Sequence, residues 1–352
     1  MNLSVDIDVL AGSFPVSCQL QAAAGAPVAI VGLSGAGKTT VLRGIAGLAR
    51  AARGSIVCDD EVWFDSQTAG WVPPQNRDCG FVFADAALFG HMSAFENVAF
   101  GLRARGDRTA ILNQRAMQAL ELVGVAGFAK RRASSLSTGE AQRVAIARAL
   151  ALDPRVLLLD EPLGAIDVER RTPVREALLR AIAEREMIAV IVSHDPAEAA
   201  LFSDSLLVME AGSVVQRGTP AQLREHPLTR YVAAFAGVNL YRGVASPVQG
   251  GVSEVDVDGS MFTILGTASG PVALVIDPDA VVLSRERPSS SARNWLVGNV
   301  AAVVADGPSL RVSIASTPSI VARITRRSAD ELGCVPGATL HATFKASEVR
   351  VH

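Results

Sequence analysis

The eight residues from Gly32 to Thr39 have types and spacing suited to holding a chain of phosphates. They fit the pattern G-x-x-x-x-G-K-[ST], whose glycines let successive backbone N–H groups point inward toward phosphate oxygens. In this pattern Lys38 neutralises the β- and γ-phosphates, and Thr39 is a ligand of Mg²⁺. The stretch therefore predicts a site for the phosphates of a nucleotide and for Mg²⁺.

Such a loop requires a strand before it and a helix after it, and the flanking residues predict both. The run from Val28 to Val31 is apolar and strand-like. The positions that predict the helix share one face at 3.6-residue spacing: Val41, Leu42, Ile45 and Leu48. The N-terminus of that helix adds partial positive charge to the loop. The alternative, a glycine-rich turn with a chance Lys-Thr pair, requires neither flank.

Two adjacent carboxylates follow a strongly apolar run. Residues 156–159 read Val-Leu-Leu-Leu, and Asp160 and Glu161 come directly after them. A strand this apolar is typical of the centre of a parallel sheet, where ligands gather beyond the carboxyl ends of the strands. There Asp160 is placed to hold Mg²⁺ through water, and Glu161 to accept a proton from the attacking water or to orient it. The alternative is an acidic strand end on a solvated edge.

A second buried strand is predicted at residues 189–192, and Ser193, His194 and Asp195 follow it. A single histidine after a strand is usually structural. Here His194 is expected at the same sheet edge as Glu161, since parallel strands end together.

A helix start is predicted at Ser137, because Ser137 and Glu140 form an S-x-x-E capping box. The helix continues through apolar residues to Leu150. Capping alone explains this sequence. Anion binding by Ser137 and by the free N–H groups at Gly139 is compatible with it.

Length and composition limit the class of protein. A chain of 352 residues is long enough for two domains, and its net charge of −2 gives no electrostatic case for binding nucleic acid. The first residues lack the features of a signal peptide, and no apolar run approaches the length that spans a bilayer. If the protein acts at a membrane, a partner is expected to hold it there.

At this point the chain resembles the nucleotide-binding subunits of ATP-binding cassette transporters. Five motifs occur in the order of that family over about residues 3–235: the phosphate loop, the signature at 136–140, the acidic strand end at 157–162, the distal loop at 164–167, and His194. Five ordered motifs are far more specific than one.

The resemblance implies ATP and Mg²⁺ as ligands, and a head-to-tail homodimer. Each ATP would lie between the phosphate loop of one subunit and Ser137 and Gly139 of the other, with Glu161 and His194 acting on the γ-phosphate. Asp160 and Thr39 are the implied metal ligands. The implied nucleotide-binding residues of the loop are Gly32, Ser34, Gly35, Ala36, Gly37, Lys38, Thr39 and Thr40.

The family also implies partners and a location. These are integral-membrane permease subunits, contacted through the segment from Leu88 to Ser93, and an extracytoplasmic substrate-binding protein. The chain would act as a peripheral protein at the cytoplasmic face of the inner membrane.

Three residues depart from the family pattern. Ala84 stands where the family has a Gln that touches Mg²⁺ and the attacking water, Thr138 where Gly is usual, and Gly164 where Ser is usual. Alanine has no donor or acceptor, so that contact is missing. We expect hydrolysis to persist but to be slow or weakly coupled to transport.

Beyond Phe235 the pattern changes to short strands. Asp258-Gly259 between two alternating segments predicts a hairpin, and the strand spacing predicts a small β-barrel of the OB type. The segment around Ser291 and Arg293, with Lys345 and Ser347 near the C-terminus, looks like the molybdate-binding module attached to molybdate-importer ATPases. The hydroxyls and cations are suited to a tetrahedral dianion, although a linker followed by an ordinary strand also fits.

The predicted fold class is α/β, a P-loop NTPase domain with a helical subdomain, followed by a small all-β barrel. The predicted domains are an ATPase domain at 1–235 with its helical subdomain at about 86–152, a β-rich connecting region at 239–287, and a Mop/TOBE-like barrel at 289–352.

The resemblance implies the ATPase subunit of an importer for molybdate, with tungstate as a second cargo. Two alternatives stay open: the same motor for sulfate, ferric iron or a sugar, and a weakly hydrolysing regulatory protein that senses oxyanion.

Overall fold

The computed structural model describes residues 1–352. The chain forms two compact units, residues 1–220 and 221–352. No helix combines the length and the apolar character needed to cross a membrane. The helices are α1 (Lys38–Ile45), α2 (Ala94–Ala104), α3 (Thr109–Leu122), α4 (Thr138–Ala151), α5 (Val168–Glu184), α6 (Pro196–Phe202), α7 (Pro220–Glu225), α8 (Arg230–Ala236) and α9 (Arg326–Leu332).

The first unit contains one eleven-stranded mixed sheet with the order β6-β5-β4-β1-β2-β11-β10-β3-β9-β8-β7. Strands β3, β7, β8, β9 and β10 run parallel to their neighbours in this group, whereas β1, β2, β4, β5 and β6 form an antiparallel part. The strands are β1 (Asn2–Ala11), β2 (Phe14–Ala23), β3 (Val28–Gly32), β4 (Ala51–Cys58), β5 (Glu61–Asp65), β6 (Gly70–Trp71), β7 (Cys79–Val82), β8 (Val156–Asp160), β9 (Ile188–Ser193), β10 (Ser205–Glu210) and β11 (Ser213–Gly218).

The central parallel strands are apolar throughout because both of their faces are covered. Every residue of β3, β8 and β9 is buried. Along β8, Leu157 and Leu159 join the core formed with α2, α3 and α4, whereas Val156 and Leu158 join the core on the other face with α1 and β1. A strand packed on both faces needs no polar alternation. This packing fixes the carboxyl ends of β3, β8 and β9, where the predicted chemistry lies.

The second unit contains two five-stranded sheets, ordered β14-β13-β12-β15-β21 and β16-β20-β17-β18-β19. The hairpin predicted at Asp258-Gly259 joins β13 to β14, with Val257 opposite Ser260. The strands are β12 (Asn239–Val248), β13 (Val252–Val257), β14 (Ser260–Leu265), β15 (Gly270–Ile276), β16 (Val282–Ser284), β17 (Asn294–Asp306), β18 (Ser309–Ala315), β19 (Ile320–Thr325), β20 (Thr339–Phe344) and β21 (Val349–Val351).

The two sheets of this unit exchange short strands. Strand β16 pairs with β20, and the C-terminal β21 pairs with β15, so segments on both sides of residues 287–289 contribute to each sheet. The predicted fold class is confirmed: an α/β ATPase fold followed by an all-β region. The predicted division of the β region into a connecting part and a barrel stays a prediction.

Candidate functional site

The phosphate loop connects β3 to α1, as predicted. At two positions of the loop the backbone has room only for glycine. Gly37 has φ 101°, and a Cβ there would lie 2.8 Å from the Val16 side chain. A Cβ on Gly32 would lie 2.3 Å from the carbonyl oxygen of Met209. The other predicted loop residues follow the same turn: Ser34 and Gly35 are exposed, Ala36 is buried, and Thr40 is half-buried within α1. The first N–H groups of α1 lack helical partners, so they are available to an anion.

The Lys38 side chain folds back over this loop. Its ammonium group donates to the carbonyl oxygens of Gly32 at 2.8 Å and Leu33 at 3.0 Å, and the residue is 7% exposed. Burial lowers the pKa of Lys38, and the nearby carboxylates of Glu161 and Asp160 oppose that shift. A cation held against the loop backbone is in position to meet a phosphate there.

Thr39 and Asp160 connect the loop to the end of β8. The Thr39 hydroxyl donates to Oδ1 of Asp160 at 3.1 Å. Asp160 is 4% exposed, and this burial raises the pKa of its carboxyl group, while the bond from Thr39 lowers it. Mg²⁺ prefers oxygen ligands and usually takes one or two from the protein, with phosphates and water completing the shell. A hydroxyl and a carboxylate at hydrogen-bond distance fit such an ion.

Glu161 and His194 meet at the same edge, as the parallel strands predicted. Oε2 of Glu161 lies 2.5 Å from Nδ1 of His194. The Glu161 backbone has φ 49°, which is uncommon for a residue with a side chain, and its N–H donates to the Val192 carbonyl at 3.0 Å. The chain therefore turns sharply out of β8 at Glu161 and directs its carboxylate toward His194.

Sequence reasoning missed the role of Asp195 beside this pair. Its carboxylate accepts from the N–H groups of Ala197 at 2.8 Å and Glu198 at 3.2 Å, and so begins α6 immediately after His194. An Asp followed by Pro at the first helical position is a recognisable helix start. That signal in residues 195–196 was sufficient to find it.

The signature segment has the predicted capping box at the start of α4. The Ser137 hydroxyl accepts from the Glu140 N–H at 3.3 Å, and the Ser137 N–H donates to the Glu140 carboxylate at 2.8 Å. A Cβ on Gly139 would lie 3.0 Å from the carbonyl oxygen of Ala165, so the signature packs closely on the distal loop. Ser137 itself is exposed.

The three departures from the family pattern lie in different surroundings. Ala84 and Thr138 are exposed. Just before Ala84, the Phe83 carbonyl accepts from the Gln142 side chain at 3.2 Å, while Oε1 of this buried amide has no partner. At Gly164 an added Cβ would make only ordinary contacts, at 3.6 Å and beyond. A serine side chain therefore fits at position 164.

The predicted oxyanion residues are only partly brought together. Ser291 and Lys345 line one cavity of about 420 Å³, whereas Arg293 and Ser347 are not among its lining residues. The carboxylates of Asp279 and Glu348 line the same cavity. Asp279 is paired with Arg323. The cation at Lys345 therefore shares its cavity with acidic groups.

Comparison with known protein families identifies two regions of the chain. Residues 16–164 match the family model of the ABC transporter, and residues 290–351 match that of the TOBE domain. The cassette also resembles solved structures. One is a dimeric post-hydrolysis state of the ATP-binding cassette MJ0796 bound to ADP and Pi, with 26% identity and a TM-score of 0.55 over 62% of this chain and 98% of that one.

Full-length relatives extend the match to the C-terminal unit. The molybdenum import ATP-binding protein ModC of Mycobacterium tuberculosis is 35% identical over 95% of this chain and 93% of its own, and ModC of Pseudomonas fluorescens is 36% identical over 99% of both. The sulfate/thiosulfate import ATP-binding protein CysA of Bacillus cereus is 39% identical over 75% of this chain and 73% of its own. The chain belongs to the ABC transporter ATP-binding proteins with a C-terminal TOBE domain. It is an ATP-binding and ATP-hydrolysing transporter subunit.

Proposed function

We propose that this chain is the ATPase subunit of an importer for an oxyanion, with molybdate as its cargo and tungstate as a second one. The relatives named for molybdenum import match 95% and 99% of the chain, including its C-terminal unit. The sulfate relative is slightly more identical but matches 75% of the chain. Sulfate is therefore the second candidate.

The nucleotide is held by the loop from Gly32 to Thr40 in this proposal. Lys38 exchanges its loop carbonyl partners for phosphate oxygens. Thr39 and Asp160 would hold Mg²⁺, which would neutralise negative charge on the phosphates.

Hydrolysis depends on the contact between Glu161 and His194, which is the observation that most strongly supports an active motor. The Glu161 carboxylate accepts a proton from water, and the resulting oxygen nucleophile forms a bond to the γ-phosphorus while the bond to the β-phosphate oxygen breaks. His194 holds the carboxylate in place through Nδ1.

The partners complete this scheme. A second copy supplies Ser137 and Gly139 across the γ-phosphate, as expected for a cassette whose solved relatives are dimeric. The permease contacts the segment from Leu88 to Ser93, where Phe89 is 38% exposed and its ring lies 4.8 Å from that of Phe100. An extracytoplasmic binding protein delivers the cargo, and the chain acts at the cytoplasmic face of the membrane.

The motor is tested by replacing the proposed base. We expect Glu161→Gln to lower the ATP hydrolysis rate by about 100-fold or more, because the amide cannot accept the proton, while ATP affinity stays within about threefold. The matched control is Glu184→Gln at the exposed end of α5, which should leave the rate unchanged. A Glu161→Gln rate equal to that of the unmodified chain would contradict the role of this residue.

The cargo is tested by titrating the full chain with molybdate, tungstate and sulfate in a calorimeter. Selective binding of molybdate and tungstate, weakened at least about tenfold by Lys345→Gln, is expected if the C-terminal unit senses the cargo. Lys130→Gln removes an exposed lysine of the first unit and is the control. Equal affinity for all three anions would contradict molybdate as the cargo.

A further inference from the structure

The second unit contains another cavity, of about 490 Å³, whose lining differs from that of the cavity at Lys345. It lies between α8, the first residues of β12, the β13–β14 turn and the loop between β18 and β19. Hydrogen bonds connect the elements that surround it. The Asn239 side chain bonds to the backbone of Val321 and Ile276, and the Tyr241 hydroxyl donates to the Ser319 carbonyl at 2.8 Å. These links make the cavity a preformed site rather than a gap between loose segments.

Positive charge dominates this cavity. Three arginines line it, Arg230, Arg242 and Arg311, against a single carboxylate, Asp258. None of these four side chains takes part in the ion pairs of the chain, residues 1–352. The guanidinium of Arg242 is held in place by a bond to the Leu228 carbonyl at 2.7 Å. Three arginines that line one cavity and form no ion pair favour a ligand with at least two negative charges.

The size and the remaining walls favour an organic ligand over a bare oxyanion. Sites for small organic molecules usually enclose about 300–1,000 Å³. The arginines share the lining with hydroxyl groups and with small apolar side chains. The apolar members are Ala233, Ala234, Val238, Leu240, Val257, Pro318 and Val321. Such walls pack against the carbon skeleton of an organic ligand. An inorganic anion has no carbon skeleton and gains nothing from this contact.

We propose that this cavity binds a small organic molecule carrying two or more negative charges, a phosphate ester or a polycarboxylate, through Arg230, Arg242 and Arg311. The guanidinium groups form paired N–H bonds to phosphate or carboxylate oxygens. The apolar wall formed by α8 and Pro318 packs against the rest of the ligand. The site is separate from the nucleotide loop and from the predicted oxyanion residues.

The experiment is calorimetric titration of the full chain, with its nucleotide site saturated by ADP and Mg²⁺ so that phosphate esters do not enter the loop. The probes are glucose 6-phosphate, citrate, inorganic phosphate and glucose. We expect glucose 6-phosphate or citrate to bind with a Kd below about 1 mM, at least about tenfold more tightly than inorganic phosphate, and glucose not to bind. Whichever of the two binds more tightly identifies the phosphate ester or the polycarboxylate as the ligand class.

Variants assign the binding to this cavity. Arg230→Gln, Arg242→Gln and Arg311→Gln should each weaken binding by about tenfold, and the triple variant should abolish it. Arg327→Gln, which changes an exposed arginine of the same unit, should leave the affinity unchanged. Thermal unfolding of each variant establishes that the unit remains folded.

Three results would overturn the proposal. The first is the absence of binding by both organic anions up to about 10 mM, which is weaker than useful recognition of a metabolite. The second is unchanged affinity in the folded triple variant. The third is binding of inorganic phosphate as tight as that of either organic anion, which would remove the role of the apolar wall.

Discussion

Ala84 is one of the three residues that depart from the family pattern, and it stands where a Gln is usual. It is exposed, and the carbonyl just before it is held by Gln142, so a longer side chain at position 84 has room without repacking the core. We expect Ala84→Gln to raise the turnover number for ATP about fivefold, because an amide there helps to orient the attacking water. Steady-state phosphate release measures it, with Ala104→Gln at the exposed end of α2 as the control. An unchanged rate would show that this site works without the amide.

Asp160 combines its proposed role in holding Mg²⁺ with a cost in stability. Burial raises its pKa, so the folded state retains its proton to higher pH than the unfolded state does. The free energy of unfolding therefore decreases as pH rises from the usual pKa of an unfolded aspartate to the raised pKa of Asp160 in the folded state. Asp160→Asn removes this charge and keeps an acceptor for Thr39, so we expect the nucleotide-free protein at pH 8 to gain about 1 kcal/mol in unfolding free energy.

Two measurements check this prediction for Asp160. Urea unfolding of both proteins gives the difference in stability, which should shrink toward zero as pH falls below about 3, where the wild-type carboxyl group is protonated in both the folded and the unfolded state. The Mg²⁺-dependent ATPase rate should fall at least about 100-fold in the variant. A variant less stable than the wild type at pH 8 would mean that the ionised carboxylate stabilises the fold.

Helix α1 presents Lys38 and Thr39 at its start, and a buried arginine holds its other end. Arg77 is 4% exposed and donates to the carbonyl oxygens of Gly44 at 3.1 Å and Ile45 at 2.6 Å. The same guanidinium also donates to Val72 and Trp63 carbonyls. Arg77→Met would leave these carbonyls without that donor, and we expect a loss of about 3 kcal/mol in unfolding free energy.

Urea unfolding measures this loss for Arg77→Met. The control is Arg53→Met on β4, since Arg53 is exposed and its replacement should stay within about 0.5 kcal/mol of the wild type. A loss below about 1 kcal/mol at position 77 would mean that water or a shifted side chain replaces the guanidinium.

At the scale of elements, the central strands were predictable from the sequence. The contacts between residues far apart in the chain were not. The runs that became β3, β8 and β9 are apolar throughout, and the rule that parallel strands end at one edge was sufficient to bring Glu161 to His194. The buried hydrogen bonds of Arg77 were not predicted, because its acceptors are backbone carbonyls spread over more than 25 residues of the chain. The pairing of β21 with β15 was also not predicted, because a strand of three residues is too short for its sequence pattern to indicate which strand it pairs with.

For the whole molecule, the central question is whether ATP closes two copies around Ser137. Capping and anion binding at this residue are separable, because aspartate is as good a helix cap as serine but would repel the γ-phosphate. We expect Ser137→Asp, in the Glu161→Gln background that retains ATP, to stay within about 0.5 kcal/mol of its parent in stability and to lose the ATP-dependent dimer.

The chain contains a matched control for this change. Ser93 begins α2 with the same capping box, its partner being Glu96, so Ser93→Asp makes the same substitution at a cap outside the proposed nucleotide site. Sedimentation with ATP should show the mass doubling for the parent and for Ser93→Asp, and a monomer for Ser137→Asp. If Ser137→Asp dimerised as the parent does, the Ser137 hydroxyl would act as a helix cap alone, and the γ-phosphate would have to be held across the dimer by other groups.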